Sequence, residues 1–234
     1  MKNPVLILLA IALVGVGRPV SAQVIEVGAL VGMNASQLYG DVGDIASGSV
    51  PGVGSVIANM KEWKQGPIGG VFLGLHLSNF IGLRIEAIAV QKGGQGPISG
   101  TVMGSPVDGM ITLDITYLEI PILITASWFL KDVTLRLLGG VSYDQRVSAE
   151  VELETQGVQQ PPEDRIDVDD LVKSIDIGFV LGGEALVSLG WLNVLLDLRW
   201  TPGQTNINDG FGIDSPRFKN NTVSFMAGFS LGGT

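Results

Sequence analysis

The sequence predicts an all-β fold, an eight-stranded antiparallel up-and-down transmembrane β-barrel, and three observations carry that prediction. Eight segments alternate apolar and polar residues with a period of two, as strands with two unlike faces do. The connections between them are by turns long and very short, which gathers the long ones at one rim. Ahead of the first segment stands a short apolar leader of the kind that directs export.

The leader is residues 1–22, and the barrel domain is residues 23–234. Lys2 gives the positive start, Val5 to Val16 the apolar centre, and Val20-Ser21-Ala22 a small-residue cleavage site before Gln23. The apolar stretch falls short of the roughly 20 residues of a spanning helix, and Arg18-Pro19 closes it. With no cysteine in the chain there is no lipid-anchored cysteine, disulfide, thiolate metal site or cysteine nucleophile.

The strand segments are 24–36, 68–78, 81–93, 110–128, 133–153, 173–189, 193–206 and 221–231. Connections one, three, five and seven are long and rich in Gly, Pro, Asp and Asn. The others shrink to Asn79-Phe80, Phe129 to Asp132 and Gly190 to Leu192. The fifth segment shows the two faces best. Val133, Leu135, Leu137, Gly139, Val141, Tyr143 and Val147 form one row, and Thr134, Arg136, Gly140, Ser142, Asp144, Arg146 and Ser148 the other. In the seventh, Val194, Leu196, Leu198 and Trp200 alternate with Leu195, Asp197 and Arg199; in the eighth, Val223, Phe225, Ala227, Phe229 and Leu231 alternate with Ser224, Met226, Gly228 and Ser230.

Apolar rows suit lipid and polar rows a lumen. The same parity puts Glu26, Arg84, Glu86, Asp176 and Glu184 inside. Buried charges cost several kcal/mol each unless paired, so the expectation is a lumen network of Arg84, Glu86, Glu119, Arg136, Asp176, Glu184, Asp197 and Arg199. An eight-stranded barrel is about filled by its own side chains, which argues for a structural plug and against a porin. A soluble lipocalin-type barrel would show the same alternation with its rows reversed. The leader, the charged rows and the alternating loop lengths favour the membrane version. The fourth segment departs from strict alternation, since Ile111, Leu113 and Ile115 are out of phase with Leu118, Ile120, Ile122 and Ile124. Proline removes a ladder donor, so Pro121 is read as marking a bulge beside Glu119, with Glu119 meeting Arg84, Arg136 or Arg199. Tyr117, Trp128, Phe129, Tyr143, Trp191 and Trp200 are expected near the rims, where aromatic girdles form; Trp63 falls in the first loop.

Composition narrows the function. Charged residues are 16% of the chain, below the ~25% of a typical soluble domain. Removing Lys2 and Arg18 with the leader leaves 12 basic against 23 acidic residues, a formal charge of −11, which argues against a nucleic-acid partner.

Several short stretches resemble the PorT-like outer-membrane β-barrel family common in Bacteroidota. The most specific is Tyr117-Leu118-Glu119-Ile120-Pro121. In order with it stand Gly32-Met33-Asn34-Ala35-Ser36, Gln91-Lys92-Gly93, Asp176-Ile177-Gly178 with Gly182, and Leu198-Arg199-Trp200 with Gly203 and Asn206. Together they extend from about Val24 to Leu231. The carboxyl end departs from the aromatic finish of many such barrels, because Leu231 is followed by Gly232-Gly233-Thr234 and Phe229 is the nearest aromatic. The resemblance implies a structural or accessory protein of the outer membrane; PorT itself is linked to protein secretion.

The chemistry is sparse. His76, the one histidine, shares the lumen row with Phe72 and Gly74 near a short turn and reads as structural; no base–nucleophile pair can be assembled around it. Asp41 and Asp44 in the first loop, and Glu163, Asp164, Asp167, Asp169 and Asp170 in the third long loop, lack the ordered calcium-loop pattern. Gly40 to Gly54 lacks the Lys-Ser/Thr ending of a phosphate cradle. No enzyme, cofactor or metal site is therefore expected. The expected partners are outer-membrane lipid and a protein held by loops 37–67 and 154–172. The alternatives are a lipid-modifying enzyme or a small-ligand-binding barrel.

Overall fold

The computed structural model describes residues 25–40, 48–50, 54–58, 60–102, 105–156, 165–209 and 217–232. The leader and its cleavage site, Asp41, Asp44, Glu163, Asp164 and the last two residues lie outside the described residues. Eight strands form the wall: β1 (Ile25–Gly40), β4 (Lys64–His76), β5 (Ile81–Val102), β6 (Ser105–Leu130), β7 (Val133–Gln156), β9 (Ile175–Ser188), β10 (Leu192–Pro202) and β11 (Phe218–Gly232). Three short strands stand outside the ring: β2 (Gly48–Val50), β3 (Gly54–Ala58) and β8 (Arg165–Asp167).

Round the ring the order is β5-β4-β1-β11-β10-β9-β7-β6, and the β5–β6 pairing closes it. Every neighbouring pair is antiparallel. Closure leaves no wall strand with an unpaired edge, as a hydrocarbon surrounding demands. Outward positions are apolar and exposed, with Val31 at 69% and Phe225 at 57%, whereas inward Arg84 is at 2% and Asp197 at 0%. That polarity is the reverse of a lipocalin interior. No helix among the described residues is long and apolar enough to cross a membrane; the strands do so.

Residues 77–80, 131–132 and 189–191 make the short turns at one rim. At the other rim the third connection differs from expectation. Within the stretch 94–109, read as a Gly/Pro-rich loop, residues 94–102 continue β5 and 105–109 begin β6, and the two pair up to Val102–Ser105. Pro97 falls between the Glu62–Gln95 bridge and the Ala58–Ile98 pair on the β3 side, so its missing N–H breaks no continuous ladder there. Spanning takes about 9–11 residues per strand. The 22, 26 and 24 residues of β5, β6 and β7 therefore rise well beyond it as a tall wall, while β10 with 11 residues barely does so.

The expected bulge beside Glu119 is absent. Across Pro121 the β5–β6 ladder loses two pairs but resumes without slipping, from Ile85–Ile122 to Ile88–Glu119. The one-residue irregularity lies in β7, where Thr116 faces Ser148 and Tyr117 faces Arg146, leaving Val147 as the extra residue. It turns Ala149 and Val151 inward, in place of the Arg146–Ser148 parity. The phase change in β6 has another origin: Leu113, Ile115, Tyr117, Glu119 and Leu123 all share the inward row, and it is the lumen that changes from charged to apolar.

Gly93 shows how closely the wall packs. Its φ is +133°, and a Cβ there would overlap the Leu113 carbonyl oxygen of β6.

Candidate functional site

The lumen holds the charged residues, which β-strand parity delivers from seven of the eight wall strands. Nearest the short turns, three arginines and four carboxylates form one chain. His76 Nε2 lies 3.0 Å from Glu26 Oε2, and Arg136 bridges Glu26 at 3.1 Å and Glu184 at 2.7 Å. Arg84 continues from Glu184 at 2.6 Å to Glu86 at 2.7 Å. Arg199 then grips Glu86 with both terminal nitrogens, Nη2 donating at 2.9 Å, and Asp197 through Nε and Nη2, both at 2.7 Å. Bidentate guanidinium–carboxylate geometry is the strong form of this bond. The Arg84 guanidinium also sits 3.5 Å above the Phe72 ring, which packs against Gly28, where a Cβ would overlap it.

Higher in the lumen lies a second cluster. Lys92 Nζ is 2.7 Å from both Asp144 Oδ2 and Glu119 Oε2. Glu119, Asp144 and Asp176 lie side by side on β6, β7 and β9, being register partners in turn. Asn220 Nδ2 donates to Asp176 Oδ2 at 2.9 Å and to the Tyr117 hydroxyl at 3.4 Å. One ammonium thus pairs with two of three adjacent buried carboxylates, and Asn220 holds the third.

Above that cluster the lumen closes with apolar side chains. Leu38, Met60, Leu113, Ile115, Val151 and Phe218 are buried together with Val168, Val172 and Ile207 from the loops. Backbone bonds pin those loops down: Lys173 N–H donates to Ile207 O at 2.8 Å, and Val168 N–H to Ala149 O at 2.9 Å. Two ion pairs flank the cap, Lys64–Asp114 and Arg146–Asp169.

All eight sequence-selected charges, Arg84, Glu86, Glu119, Arg136, Asp176, Glu184, Asp197 and Arg199, are buried in the lumen. Six join the lower chain. Glu119 and Asp176 sit in the upper cluster, and the partner of Glu119 is Lys92, not an arginine. Sequence reasoning placed Glu26 and Asp144 inside without assigning them to the network, and it missed Lys92. The signal was present, because Lys92 continues the even-numbered row of Arg84 and Glu86.

The remaining aromatic, histidine and acidic residues also find places. Trp128, Phe129 and Trp191 are exposed at the short-turn rim, and Tyr143 and Trp200 higher on the outer wall. Tyr117 departs from the expected girdle and is fully buried in the lumen. Ser230 Oγ donates to Glu26 Oε1 at 2.7 Å, so Glu26 joins His76 to Ser230. Asp169 accepts from Ala149 N–H at 2.6 Å, and Asp167 from Asp169 N–H at 2.8 Å; these acids tie the loop together. Among the described residues no group of three or more His, Asp or Glu side chains is placed to hold a metal ion.

A family model described as outer membrane protein beta-barrel domain matches residues 21–209. Among solved structures, the chain is similar to Ail, the attachment invasion locus protein of Yersinia pestis, at 12% identity, covering 88% of this chain and 99% of that one with a TM-score of 0.39. It is also similar to OprG from Pseudomonas aeruginosa, at 11% identity, 89% and 96% coverage and a TM-score of 0.42. A third is the outer membrane protease OmpT from Escherichia coli, at 10% identity, 90% and 97% coverage and a TM-score of 0.40. None of the curated proteins compared matches the sequence.

Proposed function

The chain belongs to the outer membrane protein beta-barrel domain family and resides in the outer membrane; from that premise we propose that it is a PorT-like structural or accessory protein, exported by leader 1–22, that holds a protein partner through its long loops. In this reading the long-loop rim faces the cell exterior and the short turns the periplasm. The observation that carries it is the lumen: a paired ionic chain below, a Lys92 cluster above it and an apolar cap leave the interior to a supporting role. What remains for recognition is the outside of the loops, where Trp63 is 44% and Ile166 49% exposed. Loops on a rigid scaffold commonly carry binding.

Two measurements test the reading. Refolded protein in planar bilayers is expected to give no unitary conductance, and regular conductance steps would overturn the plugged lumen. A Trp63→Ser, Ile166→Ser double variant should keep its boil-dependent gel shift while losing the protein that co-purifies with the parent from membranes; retention of that protein would overturn the loop assignment. The PorT resemblance extends the role to secretion, so loss of the chain should deplete the secreted proteins. The intact mass of the membrane-embedded form should correspond to a chain beginning at Gln23.

A further inference from the structure

An open groove of about 770 Å³ runs along the outer wall between β9 and β10, lined in part by Tyr39, Phe179, Leu181, Trp200, Gln204 and Asn221. Its size lies within the range of small-molecule sites, about 300–1,000 Å³. Part of the recess has a simple origin. Gly139 stands in the outward row of β7 opposite Leu181, and a Cβ there would meet nothing within 4 Å.

The groove straddles a change in wall chemistry. Below it the outward rows are wholly apolar, through Leu196 and Leu198 on β10 and Val223 and Phe225 on β11. At its upper end the next outward positions are amides, Asn221 on β11 and Gln37 facing it on β1. The polar groups there are held in place but not saturated. Trp200 Nε1 donates to Asn221 Oδ1 at 2.7 Å, which leaves the Asn221 amide hydrogens available. Tyr39 donates its hydroxyl to Gly203 O at 2.7 Å, keeping its oxygen as an acceptor, and Gln204 donates to Pro202 O at 3.2 Å, keeping its carbonyl. Uncharged donors and acceptors converge above an apolar trough that is continuous with the lipid-facing wall.

We propose that this groove is a binding site for one lipid of the leaflet at the long-loop rim, its acyl chain lying along Phe179, Leu181 and Trp200 and its hydroxyl-bearing head group bonded by Asn221, Gln204 and Tyr39. The inference rests on the orientation proposed above only for the identity of the leaflet. The side chains that line the groove are uncharged and offer hydrogen bonds suited to a head group rich in hydroxyls, while Lys219, one outward position beyond Asn221 and opposite Tyr39, stands outside that lining.

Native mass spectrometry of the full exported chain, refolded with monogalactosyl diacylglycerol or with phosphatidylcholine of matched acyl chains, tests it. The expected result is one galactolipid retained per barrel, at least about tenfold more than phosphatidylcholine, lost in Gly139→Phe and reduced in Asn221→Ala. An unchanged boil-dependent gel shift in Gly139→Phe separates loss of the site from loss of the barrel. Equal retention of the two lipids, or undiminished retention by Gly139→Phe, would overturn the site. Should that variant fail to fold, the parent with Trp63, Trp128 and Trp191 replaced by Phe leaves Trp200 as sole emitter. Trace galactolipid with brominated chains should then quench it well beyond the same fraction of brominated phosphatidylcholine; equal quenching would overturn the proposal.

Discussion

At the scale of single residues the lumen separates two kinds of buried charge. Arg199 holds both Glu86 and Asp197, so Arg199→Met strands Asp197 in the buried lumen and leaves Glu86 to Arg84 alone. Breaking a buried pair in this way costs about 3–5 kcal/mol, and urea unfolding of protein refolded into lipid vesicles should show a loss of that order. Lys92→Met should cost a comparable amount, because Lys92 is the ammonium shared by Asp144 and Glu119. Glu119→Gln should behave differently. It removes one of the two acids that share that ammonium, leaves Asp144 paired and keeps a hydrogen-bond acceptor, so the change should stay within about 1 kcal/mol, the worth of one ordinary hydrogen bond. A loss as large as that of Lys92→Met would mean that Glu119, rather than Asp144, is the principal counter-charge.

At the scale of elements, β7 carries the instructive irregularity. Val147 is one residue more than β6 requires, and the rows on either side of it already point inward at Arg146 and Ala149. Deleting Val147 should therefore regularise the strand without exchanging its faces. Deleting Val141, within the regular part, exchanges every side chain beyond it. The first variant should retain a boil-dependent gel shift and the second should lose it. Gly93 offers a second test on the neighbouring hairpin. Its positive φ and the overlap awaiting a Cβ predict that Gly93→Ala costs about 1–3 kcal/mol, read from the same unfolding curves.

For the whole molecule, the chain from His76 to Asp197 ties together strands that are distant in sequence, Glu26 and Arg136 among them. Because these pairs are buried, salt screens them far less than surface pairs. Raising sodium chloride from about 0.01 M to about 1 M should thus leave the thermal unfolding midpoint in detergent nearly unchanged, and a large downward shift would place water along the chain. The apolar cap belongs to the same scale, joining residues from the first, fifth and seventh connections, Met60, Val172 and Ile207, to Leu113 and Ile115 of the wall. Ile207→Asp should open that cap to added protease while preserving the boil-dependent shift of the ring beneath.

The sequence by itself determined the strand count, the two faces and the inward charges, because period-two alternation is a local property that survives in any barrel closed from these segments. Arg84, Glu86, Arg136, Glu184, Asp197 and Arg199 are legible from parity alone. Tertiary structure decided what parity cannot carry. Lys92 and not an arginine meets Glu119, since shear between strands sets which rows share a level. Residues 94–102 and 105–109 are strand and not loop, since pairing with β3 and between β5 and β6 outweighs local Gly and Pro. Tyr117 and Leu113 face inward beneath loops that fold back as a cap, because an inward position becomes apolar or charged according to what closes over it, and that neighbour lies far along the chain.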